Sequence, residues 1–481
     1  MKTKVTPSSV QPTSQPDPRR WLMLAIILAA TLIAVLDTFI VNVAIPSIEH
    51  DLHTGFEQIQ LIVAGYTLSY AVFLVPGGRL GDLYGRKRLF LVGVAGFTLF
   101  SALCGLAPNA ILLIIFRVLQ GCGAALMFPQ VLSFIQVTFE PAERPRAFGY
   151  FAAVNGLGSI LGQGLGGLLL TANIFNMGWR SIFLVNVPIG IIALLAAFPL
   201  LSESRKAEAS DLDTGGAILL VCSLFLLVFP LVVGGNAGWP LWTIICLILA
   251  IPFFIAFVVY EKRVALKGKF PLISLALFQQ RRFSFGILTV GLAYALFASN
   301  LFLFAFYLQT ILKFTPLQAS LIIMTVSLAY VITSTWNTSI TARLGKRSMF
   351  IAALVVILGY MLIFLVSQFL VPLWGIPPLL VALCVLGLGM GTLMAPLLNK
   401  TLEGIAPQEA GAASGVYMTA FSTAGALGVA VIGLIDATLT ASSGSPLHAF
   451  VISSAAVTLL SIGLAFTVWP LSKPRTADTS Q

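Results

Sequence analysis

Long blocks of apolar residues, each closed by a short polar break, recur from one end of the chain to the other. A helix that crosses a bilayer core needs roughly 20 such residues. On that ruler the pattern predicts about fourteen spans. They lie near 21–45, 59–78, 88–107, 110–137, 147–172, 181–201, 214–234, 240–260, 284–312, 317–341, 348–370, 376–398, 410–435 and 447–470. The most highly charged of the breaks runs from Gly77 to Arg88. It holds Arg79, Arg86, Lys87 and Arg88 with Asp82 as its single acid. Glycines at 77, 78, 81 and 85 let this segment turn tightly and approach its neighbours closely.

Composition sharpens the class. The 481 residues are 58% hydrophobic and 9% charged, more apolar surface than a soluble fold requires, so the expectation is an all-α polytopic membrane protein. A net charge of +10 raises the question of nucleic acid. The placement of the charge answers it. Apart from Arg117, Arg180 and Lys313, the lysines and arginines fall in the two chain ends or in alternate breaks, which puts both termini in the cytoplasm. Basicity then encodes orientation, and no soluble domain is left to carry a nucleic-acid-binding patch. Residues 1–18 are rich in Pro, Ser and Gln and read as a disordered tail. The first apolar block is too long for a cleaved signal peptide and is expected to be retained.

Other chemistries find little support. Cys104, Cys122, Cys222, Cys246 and Cys384 all lie within predicted spans, which implies packing rather than a disulfide framework. His50, His53 and His448 are too scattered for a metal site. There is no nucleotide loop and no nucleophile arrangement, so the expectation is a non-enzyme without a cofactor, not driven directly by ATP.

The two halves echo each other. Arg79-Leu80-Gly81 matches Arg343-Leu344-Gly345. Gly121, Gly123, Met127 and Pro129 match Gly389, Gly391, Met394 and Pro396. Gly149 and Gly162 match Gly415 and Gly428. All these pairs have nearly the same separation, which implies a duplicated six-helix unit. A surplus of about seventy residues is the length of two more spans and their loops. The expected plan is a tail at 1–20, a first bundle at 21–201, and a linker at 202–283 with two extra spans and a cytoplasmic amphipathic segment. A second bundle at 284–470 and a tail at 471–481 complete it. Duplicated bundles in one membrane chain point to a transporter that rocks about a central site.

At this point the chain resembles the major facilitator superfamily, and within it the fourteen-helix drug:proton antiporters. The stretch from Leu36 and Asp37 through Asn42 to Pro46 resembles the first-helix signature of that branch. Gly78 to Arg88 is similar to the loop between helices two and three. Arg117, Gln120, Gly121 and Gly123 are similar to the fourth-helix motif, and Gly178 to Arg180 with Phe183, Asn186, Pro188 and Gly190 to the start of helix six. Pro271 to Phe278 and Tyr307 to Gln309 also look like branch features. One departure stands in the fifth-helix motif, where Gln163 occupies the place of the usual proline and removes the expected kink. Gly158, Gly162 and Gly166 remain four apart, so that one helix face can approach a partner closely.

The resemblance implies the major facilitator fold and proton-coupled export of amphipathic or hydrophobic drugs across a bacterial cytoplasmic membrane, by a monomer acting on small molecules. Export of one metabolite or natural product needs the same machinery. A transport-inactive sensor or scaffold is the reading from another class. Charge inside hydrocarbon is expensive, so Asp37 and Arg117 are the foremost candidates. Both sit roughly 6 Å outward of mid-span, on helices that line the cavity in the resembled fold. Asp37 is expected to carry the proton and Arg117 to modulate it; a static ion pair fixing the packing is the alternative. Arg79, Asp82, Gly85 and Arg86 are expected to latch the cytoplasmic side. Asn42, Tyr66, Tyr70, Gln120, Asn155, Tyr294, Asn300 and Tyr307 are the cavity candidates. Asp436 is expected at a solvated helix end, with a gate or accessory proton site second, and Glu403 and Glu409 in a solvated turn. With no obvious buried acid in the second half, a strong preference for dications is not expected.

Overall fold

The computed structural model describes residues 18–54, 56–173, 176–204, 213–234, 238–267, 271–406 and 409–472. Most of both predicted tails and part of the linker lie outside them. The first bundle contains α1 (Arg20–Leu52), α2 (Phe56–Tyr84), α3 (Arg86–Gly105), α4 (Ala110–Thr138), α5 (Arg144–Ala172), the short α6 (Ser181–Leu184) and α7 (Asn186–Leu200). An inserted hairpin follows, α8 (Thr214–Val233) and α9 (Leu241–Leu266). The second bundle contains α10 (Arg281–Phe306), α11 (Pro316–Thr335), α12 (Asn337–Leu344), α13 (Ser348–Leu365), α14 (Val371–Trp374), α15 (Pro377–Leu402), α16 (Ala410–Ser443) and α17 (Pro446–Ser472). Among the described residues 13 helices are long and apolar enough to cross a membrane. The bent pair of α11 and α12, which turns by 67°, brings the total to 14.

Local chemistry sets the breaks. Asn109 caps α4 by accepting from the Leu112 N–H at 2.9 Å, and Thr315 and Gln318 form a reciprocal capping box at the start of α11. His53 and Asn173 end α1 and α5 in the left-handed region, with φ of 48° and 40°.

Packing repeats the sequence duplication. In the first bundle α4 lies between α2 and α3, α5 runs along α1, and α7 along α1 and α3. In the second, α15 lies between α11 and α13, α16 runs along α10, and α17 along α10 and α13. The bundles meet where α2 packs on α16 and α5 on α11. Of the inserted helices, α8 rests on α2 and α16. Much of α9 faces outward, with Leu241, Ile248 and Ile251 at least 60% exposed, as expected of a helix whose solvent is lipid.

Candidate functional site

Two sets of polar residues built on buried ion pairs stand in the apolar interior. The first surrounds Asp37 in α1, which is fully buried. Arg117 of α4 donates through Nη1 to Asp37 Oδ2. Gln120, one turn further along α4, donates through Nε2 to Asp37 Oδ1 at 3.0 Å. Asn186, at the start of α7, donates to the same oxygen at 2.9 Å. Arg117 also donates to Gln120 Oε1 at 2.8 Å and to the Ile62 carbonyl at 3.2 Å. Its guanidinium lies 4.4 Å from the centre of the Tyr66 ring, a cation–π contact shielded from water. Three donors therefore face one carboxylate in a sealed site, the surroundings of an ionised group.

A further layer holds this arrangement. Asn186 donates to Ser101 Oγ at 3.1 Å, and Ser101 donates to the Phe183 carbonyl at 2.9 Å. The Tyr66 hydroxyl donates to the Ala34 carbonyl at 3.1 Å, tying α2 to the turn of α1 before Asp37. From the other side α5 presses on α1. A Cβ at Gly162 would stand 2.7 Å from the Leu36 carbonyl oxygen, and one at Gly158 would stand 2.9 Å from Val35 Cβ. Gly166 is buried further along α5. The glycine face thus fixes the backbone that presents Asp37. The side chain of Gln163 lies outside the described residues.

The second set joins the two bundles on the face that carries the Arg79–Arg88 segment, called here the basic face. Asp82 ends α2 fully buried. It accepts from the backbone N–H groups of Gly411 and Ala412 at 3.1 and 3.0 Å, which are unpaired donors of the first turn of α16. Arg86 donates to the same carboxylate at 2.8 Å. The bundles touch backbone to backbone: a Cβ on Gly78 would lie 2.2 Å from the Gly411 oxygen. Gly85 takes a φ of +108°, and Glu203 caps the start of α3 by accepting from the Lys87 and Arg88 N–H groups at 3.1 and 3.3 Å. Arg79 is buried as well. On the same face Gln136 of α4 donates to the Leu402 carbonyl of α15 at 2.7 Å.

Other contacts place the seam's limit. Ser159 of α5 donates to Ser327 of α11 at 3.2 Å near mid-depth. Beyond it, a Cβ on Gly164 would meet nothing within 4 Å. Among the described residues, the hydrogen bonds that cross between bundles extend from the basic face no further than mid-depth. The bundles are joined at that face. A crevice of about 670 Å³ lies between α1, α5 and α11, lined by apolar side chains such as Leu28 and Val331, with Arg146 at its edge.

The predicted cavity residues divide. Tyr66 and Gln120 belong to the Asp37 cluster, so Gln120 is a carboxylate partner rather than an exposed ligand contact. Tyr70 stacks on Tyr66 with centroids 6.2 Å apart and meets Phe128 edge-on at 5.6 Å. Tyr294 stacks on Phe421 of α16 at 3.5 Å. Asn155 donates to the Phe151 carbonyl in its own helix at 2.8 Å. Asn300 is buried, and its Oδ1 lacks a donor. Tyr307 corrects the expectation: it stacks on Phe450 of α17 at 4.3 Å and donates to the Ser367 carbonyl at 3.1 Å, a packing role within the second bundle. The side chain of Asn42 lies outside the described residues.

Asp436 is a second correction. It is 5% exposed rather than solvated, beside Ser453 of α17, because α16 continues past it to Ser443. The second bundle therefore does hold a buried acid. Glu403 is solvated as expected and pairs with Arg282 at 3.0 Å and Lys400 at 3.2 Å. Sequence reasoning misses Asn186 as a partner of Asp37 and Ser101 as the hydroxyl behind Asn186; an amide and a hydroxyl inside apolar spans are the available signal.

The profile of the Major Facilitator Superfamily matches residues 27–429 and again 285–480. The chain belongs to the major facilitator superfamily. Among its relatives, the probable actinorhodin transporter of Streptomyces coelicolor is 37% identical over 445 residues, covering 89% of this chain and 76% of that one. The puromycin resistance protein of Streptomyces alboniger is 35% identical, covering 89% and 84%. A multidrug resistance protein of Mycobacterium tuberculosis is 32% identical, covering 83% and 73%. Among solved structures, a proton:xylose symporter of the superfamily superposes with a TM-score of 0.65 at 13% identity, covering 95% of this chain and 97% of that one. That likeness speaks for the fold alone. This superfamily member is a multi-pass membrane protein whose relatives are antibiotic and multidrug efflux transporters.

Proposed function

We propose that this protein is a proton-coupled antiporter that exports small amphipathic or hydrophobic compounds by alternating access. It acts as a monomer with the proton as coupling ion and no cofactor. The basic face is taken as cytoplasmic because the cations concentrate there. The observation that carries the reading is the sealed Asp37–Arg117 pair, in a first bundle that is locked to the second on that one face.

The cycle follows from these contacts. With the basic face closed, Asp37 is ionised and held by Arg117, Gln120 and Asn186. A proton arriving from the opposite side neutralises Asp37 and releases Arg117, which loosens α1 from α4 and α7. The Asp82 latch then parts and the basic face opens. Substrate enters from the cytoplasm or the inner leaflet, the proton leaves to the cytoplasm, and the pair reforms as the bundles rock back. Each charge that crosses gains about 2.3 kcal/mol per 100 mV. The apolar crevice and the aromatic stack of Tyr66, Tyr70 and Phe128 suit greasy substrates better than strongly hydrated ones.

A dedicated natural-product exporter is the second reading, favoured by a relative named as a tetracenomycin C resistance and export protein. Proteoliposomes with an imposed pH gradient and a panel of cationic, zwitterionic and neutral drugs separate the two. Uptake of several unrelated compounds supports the first reading; uptake of one structural class supports the second. Uptake indifferent to the gradient contradicts both.

A further inference from the structure

The inserted hairpin carries a group of polar atoms that the scheme above does not use. Glu261, near the end of α9, is fully buried. Its Oε2 accepts from the Ile273 N–H at 3.0 Å, in the segment that leads on to α10. Its Oε1 has no hydrogen-bond donor. Asp213 caps α8 by accepting from the Gly216 N–H at 2.9 Å through Oδ1, and its Oδ2 likewise has none. The two bare oxygens converge over Gly216: a Cβ there would lie 2.2 Å from Glu261 Oε1 and 2.7 Å from Asp213 Oδ2.

Two carboxylate oxygens this close are both acceptors and repel while both are ionised. One proton between them turns the pair into an O–H···O⁻ hydrogen bond that satisfies both orphaned atoms. Asp213 from α8 and Tyr260 from α9 are the titratable side chains that face Glu261 among the described residues. Among the described residues no lysine or arginine forms an ion pair with it, and the adjoining Leu272 and Ile273 contribute apolar side chains and backbone. A shared proton, not an ion pair, is what the site is built to hold.

The position of the hairpin gives the pair a consequence. Helix α8 rests on α2 and α16, the two helices that Asp82 joins at the basic face. Glu261 ties the end of α9 to the segment entering the second bundle. We propose that Asp213 and Glu261 form a proton-binding clamp that, when occupied, holds the inserted hairpin against the α2–α16 seam and, when emptied, lets it go. As pH at the basic face rises, the proton leaves, two like charges remain in contact, and the hairpin's end loosens from the latch. The clamp is separate from coupling at Asp37, and its test does not depend on transport.

Two readouts on the purified full chain decide it. Infrared difference spectra across a pH titration should show one protonated-carboxyl band that disappears in both Glu261→Gln and Asp213→Asn. After replacement of the five native cysteines, spin labels at Tyr84 and Leu266, both exposed at helix ends, should give a distance distribution that broadens as pH rises. Glu261→Gln, a neutral mimic of the protonated acid, should keep it narrow at every pH, and Asp213→Asn should do the same should Glu261→Gln not fold. Absence of a band assignable to either residue, or a wild-type distance indifferent to pH, overturns the clamp.

Discussion

Asp37 is satisfied by three side chains, and that economy sets what each substitution does. Arg117→Met leaves a carboxylate buried without its cation and is expected to destabilise the protein by about 3–5 kcal/mol. Adding Asp37→Asn should return most of that loss, a non-additivity that thermal unfolding of the single and double variants reads directly. Asp51 offers a milder case at the opposite face. The Arg180 guanidinium, at 2.6 Å, and then the Trp179 indole N–H hold its carboxyl below the usual carboxylate range. A lowered folded-state value means the clasp contributes above the ordinary carboxylate range and is lost as pH falls through its own. Because Asp51 is largely exposed, the effect is small. The acid limb of thermal stability should flatten in Asp51→Asn.

The meeting of Asp37 and Arg117 was legible in the sequence because ionised residues inside apolar spans are rare and must find each other. Their amide partners were not. Gln120 reads as a cavity group until the fold turns it toward Asp37, and Asn186 reads as part of a helix start. Tyr307 reads as a cavity group because no spacing tells which neighbour an aromatic ring will meet. Asp436 reads as a solvated helix end because its apolar block stops there, but the helix does not.

Among the elements, α5 and α16 matter most. The Gly158 and Gly162 face brings α5 onto the very turn of α1 that presents Asp37, so Gly162→Val should cost about 1–3 kcal/mol by overpacking. It should also impair gradient-driven transport more than substrate binding, which a comparison of driven uptake with equilibrium ligand binding would show. Where Gln163 replaces a proline, the close approach of these glycines persists without it. At the start of α16, Asp82 supplies a negative charge where the helix end is positive, worth on the order of 2 kcal/mol in a buried geometry. The alternation of long apolar blocks foretold nearly all these helices. It did not foretell the 67° turn between α11 and α12, since Trp336 and Asn337 interrupt no hydrophobic run sharply enough to mark a bend.

For the whole molecule, the proposed cycle requires that the Asp82 contacts and the mid-depth contacts describe one of at least two positions of the bundles. Removing the latch with Asp82→Ala should move the population away from the state closed at the basic face. A cysteine at Gly164, beyond the last bond between bundles, should then react more slowly with an impermeant maleimide applied from the opposite face. An unchanged rate would mean that Asp82 braces the fold without gating it. In the proposed cycle the duplicated packing of the bundles makes such rocking mechanically simple, and the inserted hairpin rests on both helices of the seam that parts.

The central claim is that Asp37 takes up and gives back the coupled proton. The most direct measurement is proton release by detergent-solubilised protein in weakly buffered solution when a transported drug is added. The account predicts release from the wild type that saturates with drug binding, and none from Asp37→Asn although that variant still binds the drug. Undiminished release from Asp37→Asn would contradict it and place the coupling proton on another group.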